Sequence, residues 1–161
     1  MMLNAFTAFH VLLSLIGIVS GFVVVYGLLV SKPLDGWTKL FLWTTAATSV
    51  TGFLFPVHKL LPSHVLGILS LIVLGIAFLA RYRHGMAGGW RRTYVISAVV
   101  ALYFNVFVLI VQLFEKVPAL QALAPTQSEP PFQAAQLTAL VIFAALGVRS
   151  AMKFRAEPSH A

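Results

Sequence analysis

Thr93–Phe114 reads TYVISAVVALYFNVFVLIVQLF, twenty-two positions without one formally charged side chain. A helix rises about 1.5 Å per residue and a bilayer's hydrocarbon core is about 30 Å thick, so about 20 such residues cross it. Four further apolar runs flank this one, at Phe9–Val30, Trp37–Val57, His64–Ala80 and Phe132–Met152. The runs are too long for barrel strands and lack period-two alternation, so they predict helices. The spans leave only short links and ends, too little for a separate extramembrane domain. The expectation is an all-α, polytopic bundle of five transmembrane helices forming a single domain over residues 1–161. Composition agrees: 60% of the residues are hydrophobic and 9% charged, against about 45–50% and about 25% in soluble domains.

Charge placement predicts the orientation. Of eleven basic residues, nine (Lys32, Lys39, Arg81, Arg83, Arg91, Arg92, Arg149, Lys153 and Arg155) fall on one side if all five runs cross. Only Lys59 and Lys116 fall on the other. Basic residues concentrate on the cytoplasmic side, which places the N-terminus outside and the C-terminus inside. The third run is short, and long arginine stems at Arg81 and Arg83 are expected to lift their charge to the interface. Trp37, Trp90, Tyr26, Tyr82 and Tyr94 are expected in the inner aromatic belt. The first run has no basic segment before it and is too long for a cleaved signal, so it is expected to stay as a span. The net charge of +7 is used for orientation and for attraction to anionic lipid, not for nucleic acid. The absence of cysteine excludes disulfide and thiolate chemistry.

Polar residues inside the spans mark inward faces, because hydrocarbon offers them no partner. On the first span His10, Ser14, Gly17 and Gly21 share one stripe, and Gly17 and Gly21 form a GxxxG motif that admits a close neighbour, in this chain or in a protein partner or second copy. On the second, Thr44, Thr48 and Thr51 lie on one face, with Thr45, Ser49 and Gly52 on the next. These hydroxyls read either as a packing seam or as the wall of a ligand or ion path. The fourth span carries Ser97, Ala101, Asn105, Val108 and Gln112 on one stripe. Asn105 is expected to bond a group on another helix, such as a hydroxyl of Thr44–Thr51, or to face a ligand. No Asp, Glu, Lys or Arg lies at mid-depth, which argues against a proton-coupled transporter.

His10, His58 and His64 fall at the outer ends of the first three spans. They read either as interfacial side chains or as a site. In the second case His10, His58 and His64, with Glu115 as a further ligand or orienting group, would hold Zn or Cu. Alternatively His10 and His64 would clasp one b-type haem, with Gly21 and Gly75 below them making room. Absence of any cofactor is the leading expectation. The outer link Glu115–Phe132, with Pro118, Pro125, Pro130 and Pro131, is expected to be stiff, with a helical turn or two around Ala119–Leu123, and to roof the outer mouth. No nucleophile–base pair, paired carboxylates or phosphate loop is present, which argues against ordinary soluble-type enzyme chemistry.

The segments Ala101–Phe107 (ALYFNVF) and Ala124–Phe132 (APTQSEPPF) resemble a group of small bacterial inner-membrane proteins, the resemblance covering about residues 101–132. It implies a multi-pass location in a bacterial inner membrane and brings no activity, cofactor or site residue with it. The general plan is also loosely similar to b-type membrane cytochromes, without the two histidines per helix of their two-haem members. The expected function is that of a non-enzymatic accessory or structural subunit of a membrane complex. The alternative is a protein that binds a metal or haem through its outer histidines.

Overall fold

The computed structural model describes residues 2–56 and 62–155. It is all-helical, with no strand among the described residues. The helices are α1 (Met2–Leu29), α2 (Asp35–Gly52), α3 (Pro62–Phe78), α4 (Trp90–Lys116), α5 (Pro118–Leu123) and α6 (Pro130–Lys153). A π-helical turn, Leu79–Arg83, extends α3. Four stretches are long and apolar enough to cross a membrane: Asn4–Leu29, Pro62–Arg83, Trp90–Lys116 and Pro130–Lys153. The shortest has 22 residues, about 33 Å at the helical rise.

Besides the short α5, the helix that falls outside this group is α2. It has 18 residues, about 27 Å, and carries Asp35, Lys39 and a run of hydroxyls. Its hydroxyls are largely satisfied within the helix. Thr44 Oγ1 donates to the Leu40 carbonyl at 2.7 Å, Thr48 Oγ1 to Thr44 at 2.8 Å and Thr51 Oγ1 to Ala47 at 2.7 Å. Each bond runs one turn back along the helix, which lets a hydroxyl sit in an apolar setting without an unmet donor.

α1 and α2 form an antiparallel pair in one continuous register. Phe6 packs against Phe55, His10 meets Thr51, Gly17 faces Thr44 and Thr45, Gly21 faces Phe41 and Gly27 faces Leu34. The glycines set the spacing. A Cβ at Gly21 would lie 2.6 Å from Leu102 Cδ1 and 3.0 Å from the Phe41 ring, so a larger residue would push the helices apart. The GxxxG seam is thus filled by this chain's own α2 and α4.

α4 is the central element and packs on α1, α2, α3, α5 and α6. Ser97, Ala98 and Ala101 lie on its buried surface and let neighbouring backbones approach. Leu102, Val95, Phe41, Leu42, Leu28 and Leu74 form the densest part of the core around it. α1 and α3 both pack on α2 and α4 and stand at opposite corners of the arrangement. α6 lies on α4 and α1, with Leu137, Val141, Val148 and Met152 facing outward. Such an apolar outer surface suits lipid contact.

Candidate functional site

The ends of the helices gather into two groups, and each holds part of the candidate chemistry. At one end α1 finishes, α2 begins, α3 finishes, α4 begins and α6 finishes. Asp35 pairs there with Arg81, across from α2 to the π turn after α3. Arg81 continues the buried stripe Ser70, Leu74 and Ala77 at helical spacing. Its side chain is 6% exposed, whereas that of Asp35 is 76% exposed. The guanidinium carbon also lies 5.3 Å from the Tyr94 ring centre and 5.7 Å from that of Tyr82. A planar, weakly hydrated cation between aromatic faces and a carboxylate keeps its charge at acceptable cost.

Two sequence expectations are corrected here. Arg81 does not extend freely from the surface, because the one aspartate of the chain stands beside it and two tyrosine rings flank it. Tyr94 does not join an aromatic belt: it is fully buried beneath Arg81. The same end is tied further by the C-terminal residues. Arg91 Nη1 donates to the Phe154 carbonyl at 2.7 Å, next to the negative end of α6. Ser31 Oγ donates to the Arg155 carbonyl at 3.1 Å and accepts from the Arg155 amide at 2.8 Å.

Between the two ends lies the polar seam. Asn105 Nδ2 on α4 donates to Thr45 Oγ1 on α2 across 3.2 Å, and Gly17 of α1 closes over both. Ser49 Oγ shares its one proton between Ser70 Oγ on α3 at 3.2 Å and the Thr45 carbonyl one turn back at 3.0 Å. Thr45 is fully buried. Of the hydroxyls singled out beforehand, Thr44 and Thr48 bond back along α2, while Thr51 reaches α1. The seam is therefore a set of short, mutually satisfied contacts joining α1, α2, α3 and α4.

At the opposite end His10 Nδ1 and Thr51 Oγ1 are 2.8 Å apart, and the His10 ring meets Phe55 edge-on at 5.1 Å. His64 packs against Phe53, ring centres 5.8 Å apart. His58 lies outside the described residues. Glu115 accepts from Gln112 Nε2 at 3.4 Å on the exposed side of α4, so Gln112 does not face inward with the rest of its stripe. Among the described residues no three His, Asp or Glu side chains come together as a metal-holding group. The glycines expected to leave room for a haem do not do so as a pair. Gly21 is plugged by Leu102 and Phe41, whereas nothing lies within 4 Å of a Cβ at Gly75. The helices carrying His10 and His64, α1 and α3, each pack on α2.

The link between α4 and α6 is ordered by its own polar groups. α5 forms its middle. Gln127 takes a left-handed backbone, φ 58°, and its Nε2 donates to the Val111 carbonyl at 3.1 Å. Glu129 accepts from Thr126 Oγ1 at 2.8 Å, from the Thr126 amide and from the Ser128 amide. Desolvation pushes its carboxyl up, but the combined hydrogen bonds from Thr126 and Ser128 outweigh this and hold it below the usual glutamate value. Phe114 and Phe132 then pack edge to face at 5.4 Å, closing the link over the ends of α4 and α6.

Sequence reasoning missed the Asp35–Arg81–Tyr94 cluster, although the stripe Ser70, Leu74, Ala77, Arg81 was a signal for it. No family model matches the chain, and no curated protein or solved structure is detectably similar to it.

Proposed function

We propose that this chain is a non-catalytic, five-span accessory or structural subunit of a membrane complex, in a bacterial inner membrane with its N-terminus outside. One observation carries the functional part: the conspicuous intramembrane polar groups are engaged in joining helices. Asn105 bonds Thr45, Ser49 bonds Ser70 and His10 meets Thr51. A polar inventory used in this way favours a rigid scaffold over a ligand path.

The fifth span is α2. It runs beside α1 from the Gly27–Leu34 contact to the Phe6–Phe55 contact, nearly the length of a helix that is itself long enough to cross. Its modest hydropathy comes from Asp35 and Lys39 in the first two turns and from hydroxyls bonded within the helix, while Leu40, Trp43 and Val50 are exposed along its length. The orientation follows from the nine basic residues that share the Asp35–Arg81 end.

The function is tested by mild solubilisation of native membranes and affinity isolation of the tagged full chain. A partner retained at fixed stoichiometry through a second separation step supports the subunit reading. Recovery as a stable species without a partner, holding a metal or haem by elemental analysis and absorption spectrum, sinks it.

A further inference from the structure

A shallow groove of about 250 Å³ runs between α1 and α2, lined by Leu15, Ile16, Val19, Ser20, Trp37 and Leu40. Its wall is apolar because Ser20 turns its hydroxyl onto the Ile16 carbonyl at 2.6 Å. On α1, Leu15, Val19 and Tyr26 share one stripe at helical spacing, so the lining continues toward the Asp35–Arg81 end. Tyr26 and Trp37 are both exposed there, apolar rings with a polar tip. Beyond them the α1–α2 link presents Lys32, fully outside the core.

The charge at this end is unbalanced. Asp35 is the only carboxylate there among the described residues, and it is paired with the buried Arg81. Lys32, Lys39, Arg83 and Arg92 are exposed and have no carboxylate partner among the described residues. An apolar trough that ends in aromatic tips and then in unpaired cations has the layout of a phospholipid, with acyl chain, interface and phosphate in that order.

We infer that the α1–α2 groove seats one acyl chain of an anionic phospholipid whose phosphate is held by Lys32. The inference rests on the reading that this end lies at a headgroup layer. Charge complementarity selects the occupant: a zwitterionic lipid fills the same trough but carries no net negative charge for the cations to neutralise.

The test uses the purified full chain in a neutral detergent, titrated with phosphatidylglycerol or with phosphatidylcholine of identical chains. Bound lipid is counted by native mass spectrometry, and Tm is followed in parallel. Phosphatidylglycerol is expected to be retained in preference and to raise Tm more. Lys32→Gln should weaken its retention about fivefold and leave phosphatidylcholine unchanged. Val19→Trp places a ring in the groove from an exposed position and should remove the retained lipid, and Leu40→Trp does the same from the opposite wall. Equal retention of the two lipids, an unaltered response in Lys32→Gln, or full retention by whichever groove variant folds overturns the proposal. Orientation plays no part in detergent, so failure here is separable from failure of the five-span reading, which side-specific labelling of the membrane-embedded chain examines.

Discussion

Asn105 on α4 donates its amide to Thr45 on α2 across 3.2 Å, at about mid-height of both helices, with Gly17 of α1 packed over the pair. Three helices are thereby fixed at one point. Bonds of this kind between membrane helices contribute about 0.6 kcal/mol on average and about 1.7 at most, because the separated helices also find partners. Asn105→Leu and Thr45→Val should each lower Tm in detergent by a correspondingly small amount. The double variant should lose less than the two separate losses added, since both remove the same bond. Strict additivity would place the two side chains out of contact.

The Asp35–Arg81 pair should behave differently. Arg81 is buried and Asp35 is mostly exposed, so water already screens the carboxylate. Breaking a fully buried pair costs about 3–5 kcal/mol, and the exposed partner reduces that here to about 1–2 kcal/mol for Asp35→Asn. Adding Arg81→Met to Asp35→Asn should recover part of the loss, because the unpaired guanidinium is then gone. Thermal unfolding of these two variants beside the unaltered chain checks this. A double variant less stable than Asp35→Asn would mean that the stacking of Arg81 on Tyr94 outweighs its ion pair.

How much of this was legible follows from what each signal measures. The apolar runs located four long helices within a few residues, because bilayer thickness constrains length directly. Their ends were less visible: α1 begins at Met2, well before the expected Phe9, since Asn4 and Thr7 are polar yet helical. Asn105 could be tied in advance to the Thr44–Thr51 hydroxyls by the cost of a lone amide in lipid. The partner of Arg81 could not be found by reading spans singly, as it stands 46 positions earlier and only the packing of α2 on α3 brings it near. The directions of the histidines were not legible, since depth along a helix does not set which way a ring points: His10 meets Thr51 of α2, and His64 packs on Phe53 just past the end of α2.

The glycines of α1 and α3 give opposite expectations for the same substitution. Gly21→Ala would bring a methyl into Leu102 and Phe41, and overpacking of this kind costs about 1–3 kcal/mol. Gly75→Ala meets nothing within 4 Å and gains helix propensity, worth up to about 1 kcal/mol. Melting curves in one detergent should therefore move in opposite directions. Equal shifts would mean that α1 does not approach α2 and α4 as closely as described.

Glu129 gives the link between α4 and α6 a pH dependence. Its carboxyl is held below the usual glutamate value by Thr126 and Ser128, so the folded pKa lies under the unfolded one. That contribution is fully present above the unfolded pKa and is lost as pH falls through the depressed folded value. Hydrogen exchange at the Thr126 and Ser128 amides, corrected for its intrinsic pH dependence, should lose protection only in that acid range. Glu129→Gln should remove the dependence. Protection that follows the same corrected profile in the variant would assign it to another group.

The crossing of α2 decides the topology, and single cysteines can test it because the chain has none of its own. Gly36 lies in the first turn of α2 with open space around its Cα, and Leu54 lies just past its end and is exposed. If α2 crosses, Gly36→Cys and Leu54→Cys label with membrane-impermeant thiol reagents from opposite sides. Asn4→Cys should then label with Leu54→Cys and Gln127→Cys, and Gly88→Cys with Gly36→Cys. Had α2 instead lain along one surface, α1 and α3 would bring Gly88 back to the side of Asn4, giving both positions one accessibility. The nine basic residues would then divide between the two faces, against the rule that holds them inside. Common labelling of Asn4→Cys and Gly88→Cys in sealed cells therefore removes the fifth span and the proposed orientation together.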